Sequence, residues 1–256
     1  MKKSIKILAI GNSFSIDAME YLWQVLRAGG AEEVILGDLY IPGCPMTLHA
    51  QNIQDDAHIY IYLKNTDGVW HQTPNASLTD GLLDEEWDVI TLQQASHDSG
   101  LPETYARQGE FIDYVNAHKR NPTAEMYWHM TWAYQSDSDH WAFPRYNRDQ
   151  ATMYNAILNA VRSEIIPKPA YAGVIPSGVA IQNLRATPVG DTVTRDGFHL
   201  SESHGRYTAA LTWAQTLCGV DPDTVGWMPE AFADTIRLDL AYIRQAVKAA
   251  GKAFLA

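Results

Sequence analysis

Short apolar runs alternate with longer amphipathic stretches along most of the chain. Ile5–Ile10 is an apolar run broken only by Lys6, and Gly11-Asn12-Ser13 ends it. That is a strand pattern followed by a breaker. Asp17–Ala28 reads as a helix with Met19, Leu22, Trp23, Val25 and Leu26 to pack, and Gly29-Gly30 stops it. Glu33–Ile41 reads as a second strand ended by Pro42-Gly43, and Trp87–Gln93 as a third. Pro102–Lys119 is helical, Met126–Trp132 a fourth strand, Arg148–Ile166 helical, and Tyr171–Ile175 a short fifth strand. Ser203–Leu217 and Ala231–Ala250 complete the helices. Strand–helix alternation of this kind builds a mainly parallel sheet of about five strands, covered by helices on both faces. His58–Leu63 and Val69–Gln72 flank Asn65-Thr66-Asp67-Gly68, an Asp-Gly turn signal. A hairpin insertion is expected around 56–74, as a candidate rim for the site.

No repeat, low-complexity tract or long linker divides the 256 residues, so one domain spanning 1–256 is expected. With 8 Trp, 13 Tyr and 6 Phe to bury, the chain is not disordered. Lys plus Arg is 19 against 30 for Asp plus Glu, a formal net charge of −11. That balance repels phosphate backbones, so nucleic acid is not the expected partner. No run of 18 apolar residues marks a membrane span. Met1-Lys2-Lys3 resembles the basic start of a signal peptide, but the apolar stretch after it is too short for one. The expectation is a cytoplasmic chain, or a periplasmic or secreted one if a leader has been removed. The two cysteines, Cys44 and Cys218, cannot make a disulfide framework.

In open α/β sheets ligands bind beyond the carboxyl ends of the strands, so chemistry is sought there. Ser13 and Ser15 follow the first strand. A serine on such a turn exposes its oxygen at the sheet edge, and its own N–H can donate to an oxyanion. The alternative is a helix N-cap. Gly43 follows the second strand and leaves a backbone N–H unhindered, or simply makes a turn. Gln93 and Gln94 end the third strand, where one amide could serve a developing negative charge and both could cap loop groups. Near the C-terminus, His199 is a candidate general base, with Asp196 three residues before it to fix its tautomer.

Other residues have competing readings. His129 ends the fourth strand and is a candidate pocket residue, as are His97 and Asp98 after the third. Trp128, Trp132, Trp141 and Tyr134 are either a sugar-stacking wall or core. His199 and His204, with Glu202 and Asp196 nearby, suggest a metal site, but their spacing matches no zinc motif. Cys44 reads as a small buried thiol. No Gly-x-Gly-x-x-Gly loop, Walker-type loop or Gly-x-Ser-x-Gly elbow is present.

Taken together, Gly11-Asn12-Ser13-Phe14-Ser15, Gly43 and Asp196-Gly197-Phe198-His199 resemble the blocks of the SGNH (GDSL-like) hydrolases, in their order and over most of the chain. In that superfamily the serine lies in a Gly-Asp-Ser-like block after the first strand, and an Asp-x-x-His block lies near the C-terminus. Asn12 stands where Asp is commoner. The third block, usually Gly-x-Asn-Asp, is replaced by Gln93-Gln94-Ala95-Ser96. Some branches, carbohydrate acetylesterase-like ones among them, use a glutamine near this point. The whole chain is similar to an uncharacterised bacterial branch common in gut Bacteroidetes, with Leu-Gln-Gln and Trp-Ala-Tyr segments.

The resemblance implies a single-domain, flavodoxin-like three-layer α/β/α sandwich with no metal and no organic cofactor. It implies a serine esterase in which Ser13 attacks, His199 is the base and Asp196 orients it. The oxyanion would be held by Ser13, Gly43 and Gln94, with Gln93 as the alternate. Asn12, His129 and Trp132 would contact substrate. The expected substrate is a short acyl ester, acetyl above all, on a carbohydrate. A lysophospholipase or thioesterase, a non-catalytic carbohydrate-binding protein and a metal-dependent hydrolase are the rival readings. The resemblance does not indicate an oligomeric state.

Overall fold

The computed structural model describes residues 3–254. Met1 and Lys2, two of the three residues of the basic start noted above, lie outside them. Five strands run parallel: β1 (Ser4–Gly11), β2 (Glu33–Tyr40), β5 (Val89–Leu92), β6 (Glu125–His129) and β7 (Gly173–Ile175). Between β2 and β5 in sequence, β3 (Tyr60–Asn65) and β4 (His71–Ala76) form the expected hairpin. The sheet order is β4-β3-β2-β1-β5-β6-β7.

The expected five parallel strands are therefore all present. The sheet has seven strands because the hairpin adds itself antiparallel to β2. Tyr40 of β2 pairs with Ile61, whereas Leu36 pairs with Asn65. The turn at Thr66–Trp70 thus lies at the end of the sheet away from the C-terminus of β2. Gly68 in that turn sits against Trp23. The hairpin extends an edge and does not rim the site.

The central strand is apolar on both faces. Ile7, Leu8, Ala9 and Ile10 of β1 are each at most 1% exposed. That is what a parallel strand needs when helices cover both sides. On one side pack α1 (Ser13–Met19), α2 (Leu22–Ala28), α7 (Ser177–Arg185), α8 (His204–Cys218) and α9 (Ala233–Ala250). On the other lie α3 (Met46–Gln54), α4 (Leu78–Asp84), α5 (Gln108–His118) and α6 (Gln150–Ala160). The expected single helix over Asp17–Ala28 is two helices. The first starts four residues earlier, because Asn12 caps it by accepting from the Phe14 N–H at 3.1 Å. The stretch Pro102–Lys119 is a 3₁₀ turn followed by α5, and the end of Arg148–Ile166 is a π turn over Val161–Ile165. Among the described residues no helix is long and apolar enough to cross a membrane.

Disregarding the hairpin, the order β2-β1-β5-β6-β7 reverses direction of progression at β1. Such a switch point opens a crevice at the carboxyl ends of β1 and its neighbours. Ser13, Gly43 and Ser96 all follow strands that meet there.

One close approach fixes how the start of α7 packs against the segment after β6. A Cβ on Gly178 would lie 2.1 Å from the Thr131 carbonyl oxygen. Gly178→Ala is expected to cost about 1–3 kcal/mol through overpacking, measured by urea unfolding. A loss under half of that would show that the backbone relaxes freely here.

Candidate active site

Ser13 is the first residue of α1, placed directly beyond β1 by the Asn12 cap. Its Oγ lies 2.8 Å from His199 Nε2, although the two residues are 186 apart in sequence. His199 Nδ1 lies 2.6 Å from Asp196 Oδ2. The other carboxylate oxygen of Asp196 accepts from the backbone N–H groups of Phe198 and His199, at 3.2 and 2.7 Å. Burial opposes ionisation of Asp196, but the His199 ring and these two amides outweigh it and hold the carboxyl below its usual range. Gly197 makes the turn possible: its φ is +87°, and a Cβ would meet Ser138 Oγ at 2.9 Å. The loop is pinned from outside as well. Gln135 N–H donates to Gly197 O at 2.8 Å, and Trp132 Nε1–H to Phe198 O at 2.7 Å.

A buried carboxylate joins this loop to the helix that carries Ser13. Asp17, fully buried on α1, accepts from Leu200 N–H at 2.8 Å and from Arg195 and Arg206, each at 2.9 Å. Arg195 also donates to the Leu200 carbonyl. The residues flanking the Asp196–His199 turn are thus fastened to a side chain one helical turn beyond Ser13.

The Gly43 turn is tied to the same point from the other side. Asn12 Nδ2 donates to Cys44 O at 3.2 Å. Gly43 has φ +59°, and nothing lies within 4 Å of where its Cβ would be. Neither the Ser13 N–H nor the Gly43 N–H has an acceptor among the described residues. Both line a pocket of about 340 Å³ together with Phe14, Tyr40, Pro42, Ser96, His97, His140, Trp141, Phe198 and His199.

Both glutamines expected at the oxyanion are elsewhere. Gln94 is 1% exposed. Its Oε1 accepts from Met46 N–H at 2.8 Å, which caps α3, and from Ala95 N–H at 2.9 Å. Its Nε2 donates to Thr104 O and Oγ1. Gln93 points beneath the serine turn instead. Its Nε2 donates to Asn12 Oδ1 at 2.8 Å, and its Oε1 lies 2.8 Å from His129 Nδ1. His129 Nε2 lies 3.0 Å from Ser177 Oγ. Burial lowers the His129 pKa to about 3, so the ring is neutral and must donate through Nδ1 to the Gln93 carbonyl oxygen. Ser177 then donates to Nε2.

The expected substrate contacts change accordingly. Of the three, only Asn12 borders the pocket, and its amide is bonded to protein groups through both its oxygen and its nitrogen. His129 and Trp132 are buried at 1% and 0%, below the floor. Trp132 stacks on Phe14 with ring centroids 4.3 Å apart. Trp128 and Tyr134 are core as well. Cys44 is a buried thiol whose pKa burial pushes up to about 12. His204 turns to Asp239 at 2.9 Å, away from His199. Among the described residues no group of three or more His, Cys, Asp or Glu side chains is placed to hold a metal ion.

The expected pocket residue His97 does line the pocket, whereas the sequence reading missed His140 as a pocket wall and Asp38 beside the serine turn. Asp38 is fully buried beside Ser15 Oγ at 3.1 Å, and burial drives its carboxyl well above the usual range. The signal available was an aspartate inside an otherwise apolar strand.

This fold is of the SGNH type. In fold the chain is similar to a putative SGNH hydrolase from Slackia heliotrinireducens, with TM-score 0.51 and 18% identity over 84% of this chain and 99% of that one. It is also similar to the lipase/acylhydrolase from Enterococcus faecalis, with TM-score 0.51 and 14% identity over 84% and 96% of the two chains. The chain belongs to the family described as Domain of unknown function (DUF4886), whose model matches residues 6–246. It is 37% identical to a DUF4886 family protein from Bacteroides uniformis ATCC 8492, over 98% of this chain and 94% of that one, with TM-score 0.89. No curated protein matches it.

Asp17 gives the sharpest test of how the site is held. Asp17→Asn is expected to cost about 1–3 kcal/mol, because it leaves the largely buried Arg206 and the partly exposed Arg195 facing a neutral amide. Urea unfolding measures it. A cost below about 1 kcal/mol would mean that the arginines are held by other partners.

Proposed function

We propose that the protein is a serine esterase that hydrolyses short acyl esters, acetyl above all, of carbohydrates. The observation that carries this reading is the Ser13–His199–Asp196 chain of contacts at 2.8 and 2.6 Å, opening into a pocket with two unengaged backbone N–H groups. Ser13 Oγ attacks the ester carbonyl carbon while His199 Nε2 takes its proton. Asp196 accepts from Nδ1–H and stabilises the imidazolium. The carbonyl oxygen becomes an oxyanion held by the N–H groups of Ser13 and Gly43, which are fixed before the charge develops. The imidazolium protonates the leaving alcohol as the carbon–oxygen bond breaks, leaving acyl-Ser13. Water, deprotonated by His199, then attacks the acyl carbon and releases the acid and Ser13.

Pocket size and charge support a small neutral substrate. At about 340 Å³ the pocket is at the small end of ligand sites, which run about 300–1,000 Å³. Among the described residues no Lys, Arg, Asp or Glu lines it. Burial pushes His97 and His140 below the usual histidine value, which favours their neutral forms. The Arg145 guanidinium that bonds the His97 carbonyl is already paired with Asp98 at 2.6 Å, so a phospholipid headgroup or a nucleotide-bearing thioester would find no unpaired counter-ion among the described residues of this wall.

The test is hydrolysis of p-nitrophenyl acetate, with EDTA present throughout. Ser13→Ala is expected to lose about 10⁴-fold or more in kcat/KM. Equal activity in the two would assign the chemistry to another residue. Rates should fall steeply from acetyl to octanoyl esters, and the reverse order would reject the short-acyl reading. Gln94→Ala is expected to cost about 1–3 kcal/mol of stability, because it leaves the Met46 N–H uncapped. Its kcat should fall far less than the roughly 100–1,000-fold that follows loss of an oxyanion donor. A fall of that size in folded enzyme would return Gln94 to the oxyanion.

A further inference from the structure

Large aromatic side chains in this protein are mostly core, and Trp141 is an exception. Trp87, Trp128, Trp132 and Trp213 are at most 1% exposed, whereas Trp141 is 69% exposed at the mouth of the pocket. Its ring is not loose. It stacks on His140, with centroids 5.6 Å apart and planes 30° apart, and leans on His97 at 5.3 Å. His140 is itself fixed. Its Nδ1 accepts from Ala142 N–H at 3.2 Å, and its ring packs on Tyr134 and Phe198. Phe198 in turn lies against His199, with centroids 4.2 Å apart. The wall therefore runs from the base of the candidate triad out to an indole face in water.

We infer that Trp141, with His97 and His140 beside it, is the subsite for the sugar ring of the alcohol, and that the substrates are acylated pyranosides. This rests on the esterase reading above. A pyranose presents one face of C–H bonds to a π system whose face is negative, and hydroxyls around its edge. The indole supplies the face. His97, with Nε2 3.6 Å from Asp98, and Ser96, whose Oγ is 2.9 Å from Tyr134 Oη, supply polar edges on the same side. Among the described residues the lining carries no side chain of fixed charge, and Arg145 behind His97 is paired with Asp98, so an uncharged sugar is favoured over an anionic one. With the sugar on Trp141, the pocket leaves its inner end, at Ser13 and Gly43, for the acyl group.

The experiment compares acid release from a fully acetylated methyl xylopyranoside with that from ethyl acetate, which has no ring to stack. Trp141→Ala is expected to lower the ratio of kcat/KM, sugar ester over ethyl acetate, by about three- to tenfold, chiefly through KM. Trp141→Phe should recover most of the ratio. If both substrates fall in proportion, Trp141 is structural and the inference fails; it fails equally if the ratio does not move. If wild type hydrolyses neither ester, the esterase reading fails first. The subsite is then decided by tryptophan fluorescence of Ser13→Ala titrated with methyl xylopyranoside. Saturable quenching that disappears in Ser13→Ala/Trp141→Ala upholds a sugar site, and no quenching overturns it.

Discussion

A single buried carboxylate holds the two ends of this chain in register. Asp17 sits one helical turn after Ser13 and meets Leu200 N–H, Arg195 and Arg206. No strand pairing joins α1 to the segment around His199, so their relative position rests on side-chain contacts. A buried ion pair is a weak source of net stability, because desolvation offsets much of the attraction. Its geometry is demanding, however: Arg195 and Leu200 bracket the Asp196–His199 turn from both sides. Moving either by an ångström would open the 2.8 Å contact between Ser13 and His199. The Gly197 turn, the Trp132 indole on Phe198 O and the Phe14–Trp132 stack all presuppose that register.

Much of this arrangement is legible in the sequence, for a physical reason. Ser13 and Gly43 follow parallel strands, and strand ends converge at a switch point whatever the side chains between them. Asp196 and His199 meet because three residues and a glycine suffice to close the turn. Both relations are local in sequence or dictated by topology. The five parallel strands were legible likewise from their apolar runs. The hairpin was legible as a hairpin, but its position was not, because pairing to β2 is a long-range choice that its own pattern does not encode. Helices α3, α4 and α7 were missed because each is only seven to nine residues long. Such helices depend on caps and packing more than on periodicity. Ser77 and Asp80 form a capping box that the sequence displays.

The glutamines show where legibility ends. Alternation places Gln93 and Gln94 on opposite faces, and that is correct. It does not say what lies opposite each face. One amide meets the start of α3 and the other meets Asn12, and neither partner is near in sequence. His129 and Trp132 misled for the same reason. His129 ends β6 and Trp132 lies three residues beyond it, yet His129 is held by Gln93 and Ser177, and Phe14 and the Phe198 carbonyl cover Trp132.

Beneath the serine turn these residues make a chain of uncharged groups: Ser177, His129, Gln93, Asn12 and the Cys44 carbonyl. Its direction is fixed at one end. The Cys44 carbonyl can only accept, so Asn12 must donate through Nδ2 and accept through Oδ1. Gln93 must then donate to it, His129 must donate to Gln93, and Ser177 must donate to His129. An aspartate at position 12 could not donate to Cys44 and would place a charge in a buried site with one donor fewer. The asparagine therefore fits this chain's own network, because its side chain bridges the turn that carries Ser13 to the turn that carries Gly43. Since burial keeps His129 neutral down to about 3, the network holds its direction throughout the neutral range. The frame that spaces the two backbone donors therefore keeps its charge state near neutral pH.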